Sequence, residues 1–180
     1  MAILPMHYIG RDPILRERAR KVKDPTTPAM RKLAADMVES MHHYAGVGLA
    51  ANQIGSLHRL AVIQLPEDDE PRILFNLEVT RKEGEREVTE GCLSLPGYRA
   101  NILRAECVSA RAIDGEGRPV RVKRAEGLLA QALEHEDDHL NGILYVDHLR
   151  SNDDLYEVEP GTEEDGETEA DAEEAASAAG

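Results

Sequence analysis

His135-Glu136-Asp137-Asp138-His139 sets two imidazoles four residues apart. On an α-helix, residues at that spacing share a face, so both rings can reach one metal ion. Glu136 follows the first His, where a carboxylate can take a proton from water at such an ion. Five residues thus demand a helix, a metal and a third ligand from elsewhere. Chance supplies the pattern in about 3% of shuffled chains of this composition, so the third ligand decides its weight.

The helix carrying the motif is expected from about Glu126 to Asn141, with Gly142 as its stop. Leu128, Ala132, His135 and His139 follow one another at spacings of four, three and four, a single stripe. The metal face therefore runs into an apolar surface one to two turns upstream. That continuity predicts an uncharged side-chain pocket beside the metal.

Cys92 is the favoured third ligand. It lies in Glu90-Gly91-Cys92-Leu93-Ser94-Leu95-Pro96-Gly97, a short loop bracketed by Gly and Pro. A lone Cys is more often a small buried hydrophobe; beside an H-E-x-x-H chain with no better third ligand, those odds reverse. Downstream, Tyr145 occupies the place where one protease class has its third His. Asp147 is the first acidic residue beyond the motif, only eight residues on, and later ones lie in an acidic tail. His148 is a weaker candidate. His7, His42, His43 and His58 read as solvent or structural histidines, and Cys107 sits in a strand pattern with no loop glycine beside it.

The remainder reads as α+β: antiparallel strands packed around a central metal-binding helix, with an N-terminal helix. Residues 27–44 give that first helix, with Thr27 as N-cap and Pro28 at its first position. Its methionines, Met30, Met37 and Met41, read as core. Gly46 to Gly55 reads as a tight turn permitting close backbone approach. Strands are expected at 59–65, 72–79, 86–89, 106–113 and 119–123, and strands between two helices favour α+β over alternating β-α-β.

The chain has 180 residues, enough for one domain with a sizeable core, built without Trp and with one Phe. No apolar run reaches the roughly 18 residues of a membrane span, and no signal-peptide pattern opens the chain. Two cysteines make a poor disulfide framework, so a reducing cytoplasm is expected. The net charge of −14 belongs mostly to residues 153–180, which hold 12 Asp and Glu and no Lys or Arg. The expected division is a catalytic domain at 1–150 and an acidic, disordered tail at 151–180, with 153–180 dispensable for activity on short peptides.

GVGLAANQIG, EGCLSLPG and HEDDHLNGILYVDHL stand in the order and spacing of the three signature motifs of the peptide deformylases. The chain resembles that family over about residues 5–150. The resemblance implies a metal held by Cys92, His135 and His139, with Fe(II) the usual ion and Zn, Ni or Co able to replace it. It implies Glu136 as general acid/base, and the Gln53 amide and Leu93 backbone N–H as oxyanion donors. It matches Val47, Gly48, Leu128 and Ala132 to a methionine pocket, and Gly46, Gly48 and Arg99 to contacts with the substrate backbone. The implied substrates are nascent peptides beginning with N-formylmethionine, met at the ribosome; a cytoplasmic monomer without membrane contact is expected. The acidic tail argues against direct nucleic-acid binding. One departure stands out: Glu134 occupies a position where members often have Gln. The rival readings are a metallopeptidase of another class, with a third ligand outside the Cys92 loop, and a non-catalytic structural metal domain.

Overall fold

The computed structural model describes residues 2–158. Thr27 caps the first helix, α1 (Pro28–His43), its hydroxyl accepting from the Met30 N–H at 3.3 Å. Strands β1 (Gly48–Ala50), β2 (Leu60–Ile63) and β3 (Arg72–Glu83) follow. Then come β4 (Arg86–Cys92), β5 (Leu95–Arg104), β6 (Cys107–Ile113) and β7 (Pro119–Ala125). Helix α2 (Gly127–Leu140) carries the H-E-x-x-H motif, and a short strand, β8 (Leu155–Glu157), ends the described chain. The fold is α+β with antiparallel strands, as expected.

Two sheets frame α2. One has the order β1-β2-β3-β6-β7, the other β4-β5-β8. Strand β2 is buried along its whole length because both faces of its sheet are covered. Leu60 and Val62 pack with Met37 and Met41 of α1. Ala61 and Ile63, one residue out of phase, pack with Ala130, Leu133 and Leu140 of α2. Helix α2 is thus the central element of the larger core. Its C-terminal end is pinned by Arg59, which donates to the Leu140 carbonyl at 3.2 Å and to Asp137 at 2.7 Å. Gly142 then turns the chain at φ +74°, where a Cβ would lie 2.4 Å from the Arg16 carbonyl oxygen. Glycine is required there on both counts.

Three elements differ from the sequence reading. The segment Gly46–Gly55, read as a tight turn, contains β1 and a 3₁₀ turn, Ala51–Ile54. Strand β5 lies outside the expected strands, because Pro96-Gly97 punctuates its start and a charged Arg104 occupies one of its inward positions. The third concerns the tail. The boundary drawn at residue 151 falls inside described structure: β8 pairs antiparallel with β5, Tyr156 opposite Arg99, and Leu155 packs on a small core formed by Val88, Ala100, Ile102 and Tyr145. The rest of the expected tail, 159–180, lies outside the described residues.

A chain ending at Asn152 is therefore expected to melt several degrees lower than the full chain, since about 1 kcal/mol shifts a domain of this size by roughly 2–4 °C. The comparison is a chain ending at Val158, which keeps β8. Equal melting temperatures for both would show that β8 adds nothing to stability.

Candidate metal centre and cleft

Three side chains from two elements converge. His135 and His139 stand one turn apart on α2, and Cys92 ends β4 at a register shift after Gly91. The Cys92 Sγ and the His135 Nε2 each lie 3.2 Å from the His139 Nε2. All three ligand atoms fall within 4.8 Å of one another. His135 Nδ1 bonds to the Glu90 carboxylate, which sets its Nε2 toward the cluster. The second imidazole lacks such support: His139 Nδ1 is buried without a partner among the described residues. Its backbone is held instead, by Asn52 Nδ2 donating to the His139 carbonyl at 2.6 Å.

The protonation state of His139 suits a cation. Burial pushes His139 well below the ordinary imidazole range, and neighbouring His135 adds to the effect. A neutral imidazole is what a metal ligand requires. Burial also opposes charge on Glu90 and His135, but their mutual attraction, with Arg104 beside Glu90 and Cys92 beside His135, outweighs it: Glu90 is lowered to about 2 and His135 is raised, so an ion bound there would displace a proton from this ring. A soft thiolate and two imidazoles form a donor set that fits Zn and Fe alike. Cys107 is remote from the cluster, its thiol facing Glu126 at 3.4 Å. His148 is outside the cluster too, 2.8 Å from Asp138. His7, His42 and His58 meet Asp12, Gln64 and Ser56 respectively.

Glu136 lies beside the cluster, 3% exposed, with its Oε2 unpartnered among the described residues. Burial raises its carboxyl to about 7, and a cation bound alongside would lower it from there. Gly48 makes its position possible. A Cβ on Gly48 would come within 2.3 Å of Glu136 Oε1. Gly48→Ala is therefore expected to keep the fold while displacing this carboxylate, costing about 10²-fold in kcat. Turnover unchanged in that variant would mean that the Glu136 position is not critical.

A cleft of about 910 Å³ opens onto the cluster. Gly46, Val47 and Gly48 line it from the β1 side, Leu128 and Ala132 from α2, and Cys92, Leu93 and Arg99 from the β4-β5 hairpin. Gln53, His135 and Glu136 complete its inner end. Gln53 is fixed at both ends of its amide: Oε1 accepts from the Ala50 N–H at 2.9 Å, and Nε2 donates to Ser94 Oγ at 3.1 Å. Nε2 also lies 3.6 Å from Cys92 Sγ. Glu134 faces away from the cleft. Its two oxygens meet Lys82 Nζ at 2.8 Å and the Ala105 N–H at 2.9 Å, so its charge is answered on the sheet side.

Sequence reasoning missed several residues of this region. Glu90 supports His135, and Arg104 and Asp138 stand behind it. Glu90 and Asp138 lie inside the two motifs and could have been suspected. Arg104 had no such signal. Val158, the residue after β8, also lines the cleft.

The family model described as polypeptide deformylase matches residues 5–154. The chain belongs to the peptide deformylase family. A relative from Dehalococcoides mccartyi (strain CBDB1), named peptide deformylase, is 47% identical over 152 residues, covering 84% of this chain and 90% of its own. The crystal structure of a peptide deformylase from Legionella pneumophila superposes with a TM-score of 0.78 at 42% identity, over 82% of this chain and 86% of that one. One from Synechococcus elongatus, solved in complex with actinonin, gives 0.80 at 37% identity, over 86% and 82%. As a deformylase, the protein is a metal-dependent hydrolase that removes the formyl group from the N-terminal formylmethionine of nascent polypeptides and releases formate.

Proposed function

We propose that Cys92, His135 and His139 hold one divalent ion, Fe(II) in the cell, with Zn, Ni or Co able to take the same ligands. The observation that carries this is the convergence of one Sγ and two Nε2 atoms beside a buried carboxylate with a free oxygen. The donor set suits several first-row ions, and the preference for Fe(II) comes from the resemblance to the family. When bound, the ion supplies Lewis acidity, making water a nucleophile near neutral pH and polarising the formyl oxygen.

The chain's own groups do the rest. Glu136 takes a proton from the attacking water and passes it to the departing amine. Its Oε2 has no protein partner among the described residues to compete for that proton. The Gln53 amide and the Leu93 backbone N–H stabilise negative charge developing on the formyl oxygen. Tethering of the Gln53 Oε1 to Ala50 supports this, because it leaves the NH₂ end toward Cys92. Losing one such donor typically costs roughly 10²–10³ in rate.

A linear peptide fits the cleft walls. Strands β1 and β4 each have a single neighbour in their sheets, and residues of both line the cleft. An extended backbone laid between them would be held by Gly46, Gly48 and Arg99. The methionine side chain is received by Val47, Gly48, Leu128 and Ala132. Ala132→Asp should raise KM for formyl-Met peptides at least tenfold, since it sets a carboxylate where an apolar side chain must be desolvated. An unchanged KM would remove Ala132 from the pocket.

The same reading makes the enzyme a cytoplasmic monomer that meets formylated nascent chains at the ribosome. Both cysteines are free, which suits a reducing compartment. No described helix is long and apolar enough to cross a membrane. Direct nucleic-acid contact is not part of the reading, because residues 153–180 hold 12 Asp and Glu and no Lys or Arg, and phosphate would repel them. The test is formate release from a formyl-Met tripeptide, with its acetyl counterpart as control, by protein reconstituted anaerobically with each ion. Rapid release from the formyl peptide alone, fastest with Fe(II), is expected. Comparable release of acetate, or activity without metal, would contradict it.

A further inference from the structure

Behind His135 runs a chain of polar groups that the reaction itself does not use. Glu90, on β4, bonds to the His135 Nδ1. Arg104, on β5, grips Glu90 with two nitrogens: Nε donates to Oε2 at 3.0 Å and Nη2 to Oε1 at 2.6 Å. Its remaining Nη1 donates to Asp138 Oδ2 on α2 at 2.6 Å. The same oxygen lies 2.8 Å from Nε2 of His148. Glu90, Arg104 and Asp138 are all more than nine-tenths buried. The His148 side chain is 32% exposed. The series therefore reaches from solvent to the back of the His135 ring without a gap.

Counting charge shows what His148 does in it. Two buried carboxylates share one guanidinium, so Asp138 and Glu90 compete for Arg104. Among the described residues, His148 is the only other side-chain donor to Asp138. An Nε2 at 2.8 Å from a carboxylate oxygen carries the proton, so the 3.5 Å approach of Arg104 Nη1 to that nitrogen is packing and not a bond. The neighbouring Asp147 does not compete for His148: it is held by Arg16 and by the Leu144 N–H.

We propose that His148 is a positioning residue for the deformylase reaction: by donating to Asp138 it keeps Arg104 seated on Glu90, and Glu90 in turn fixes the His135 ring with Nε2 toward Cys92 and His139. The proposal rests on the ligand assignment given above. Groups that orient a metal-bound His typically change metal affinity or activity by about 10–100-fold when removed. His148 acts two carboxylates away, so the lower end applies.

The test compares His148→Leu with His148→Gln. Leucine fills comparable space without a donor, and glutamine keeps an N–H for Asp138. Zinc-loaded full-length protein is followed for the rate of zinc loss to a chelator, for kcat and KM on a formyl-Met tripeptide, and for melting temperature. The leucine variant should lose zinc about tenfold faster and lose about tenfold in kcat at unchanged KM, with glutamine within about twofold of wild type. Zinc loss and kcat at wild-type values in the leucine variant would overturn the proposal, whether or not its melting temperature falls. So would a glutamine variant as impaired as the leucine one. Wild-type protein that binds no zinc would instead overturn the ligand assignment, which separates the two failures.

Discussion

Glu136→Gln is expected to bind metal as wild type does and to lose turnover by about 10²–10⁴-fold, the range typical of a positioned acid/base. Glutamine has nearly the shape of glutamate but cannot accept a proton. Glu136 lies next to the ligand cluster without belonging to it, so metal content should survive the change. Its burial means that the neutral amide also removes a desolvated charge, and the variant should melt no lower than wild type. Metal content and kcat measured on one preparation decide the matter. Near wild-type deformylation would show that another group moves the proton.

Cys92→Ala should weaken metal binding by more than ~100-fold, beyond what loss of a supporting group does. The alanine leaves two imidazoles on one helix face and removes the sulfur donor opposite them. Cys107→Ala is the matched control: its thiol is buried against Glu126, away from the centre. It should keep full metal content and lose only modest stability. Metal analysis of both variants after dialysis against a weak chelator gives the comparison. Full retention by Cys92→Ala would remove Cys92 from the ligand set.

What could be read from sequence was whatever a local period encodes. The metal helix was legible because 3.6-residue spacing carried Leu128, Ala132, His135 and His139 onto one stripe. The N-terminal helix was legible through Thr27, Pro28 and its apolar face. Strand β5 was not, since Arg104 sits inward where a strand normally shows an apolar residue. That arginine is tolerated only because Glu90 and Asp138 receive it, and they come from 14 residues before it and 34 after it. Pairings across such separations leave no periodic trace. The two short strands were hidden for different reasons. In β1 a glycine-rich stretch masks a three-residue edge, and in β8 the strand lies at the head of an acidic segment whose composition reads as unstructured. The cleft followed the same rule: its apolar floor was visible on the helix, while of the facing hairpin only the first strand and the cysteine loop were visible.

The central claim is the ligand set, and X-ray absorption at the metal edge of the zinc-loaded protein tests it most directly. One sulfur scatterer at about 2.3 Å, with the remaining nitrogen or oxygen scatterers at about 2.0–2.1 Å, is the expected environment. The sulfur contribution should vanish from any residual signal in Cys92→Ala and persist in Cys107→Ala. An environment of nitrogen and oxygen alone in the wild-type protein, or one with two sulfurs, would contradict the account.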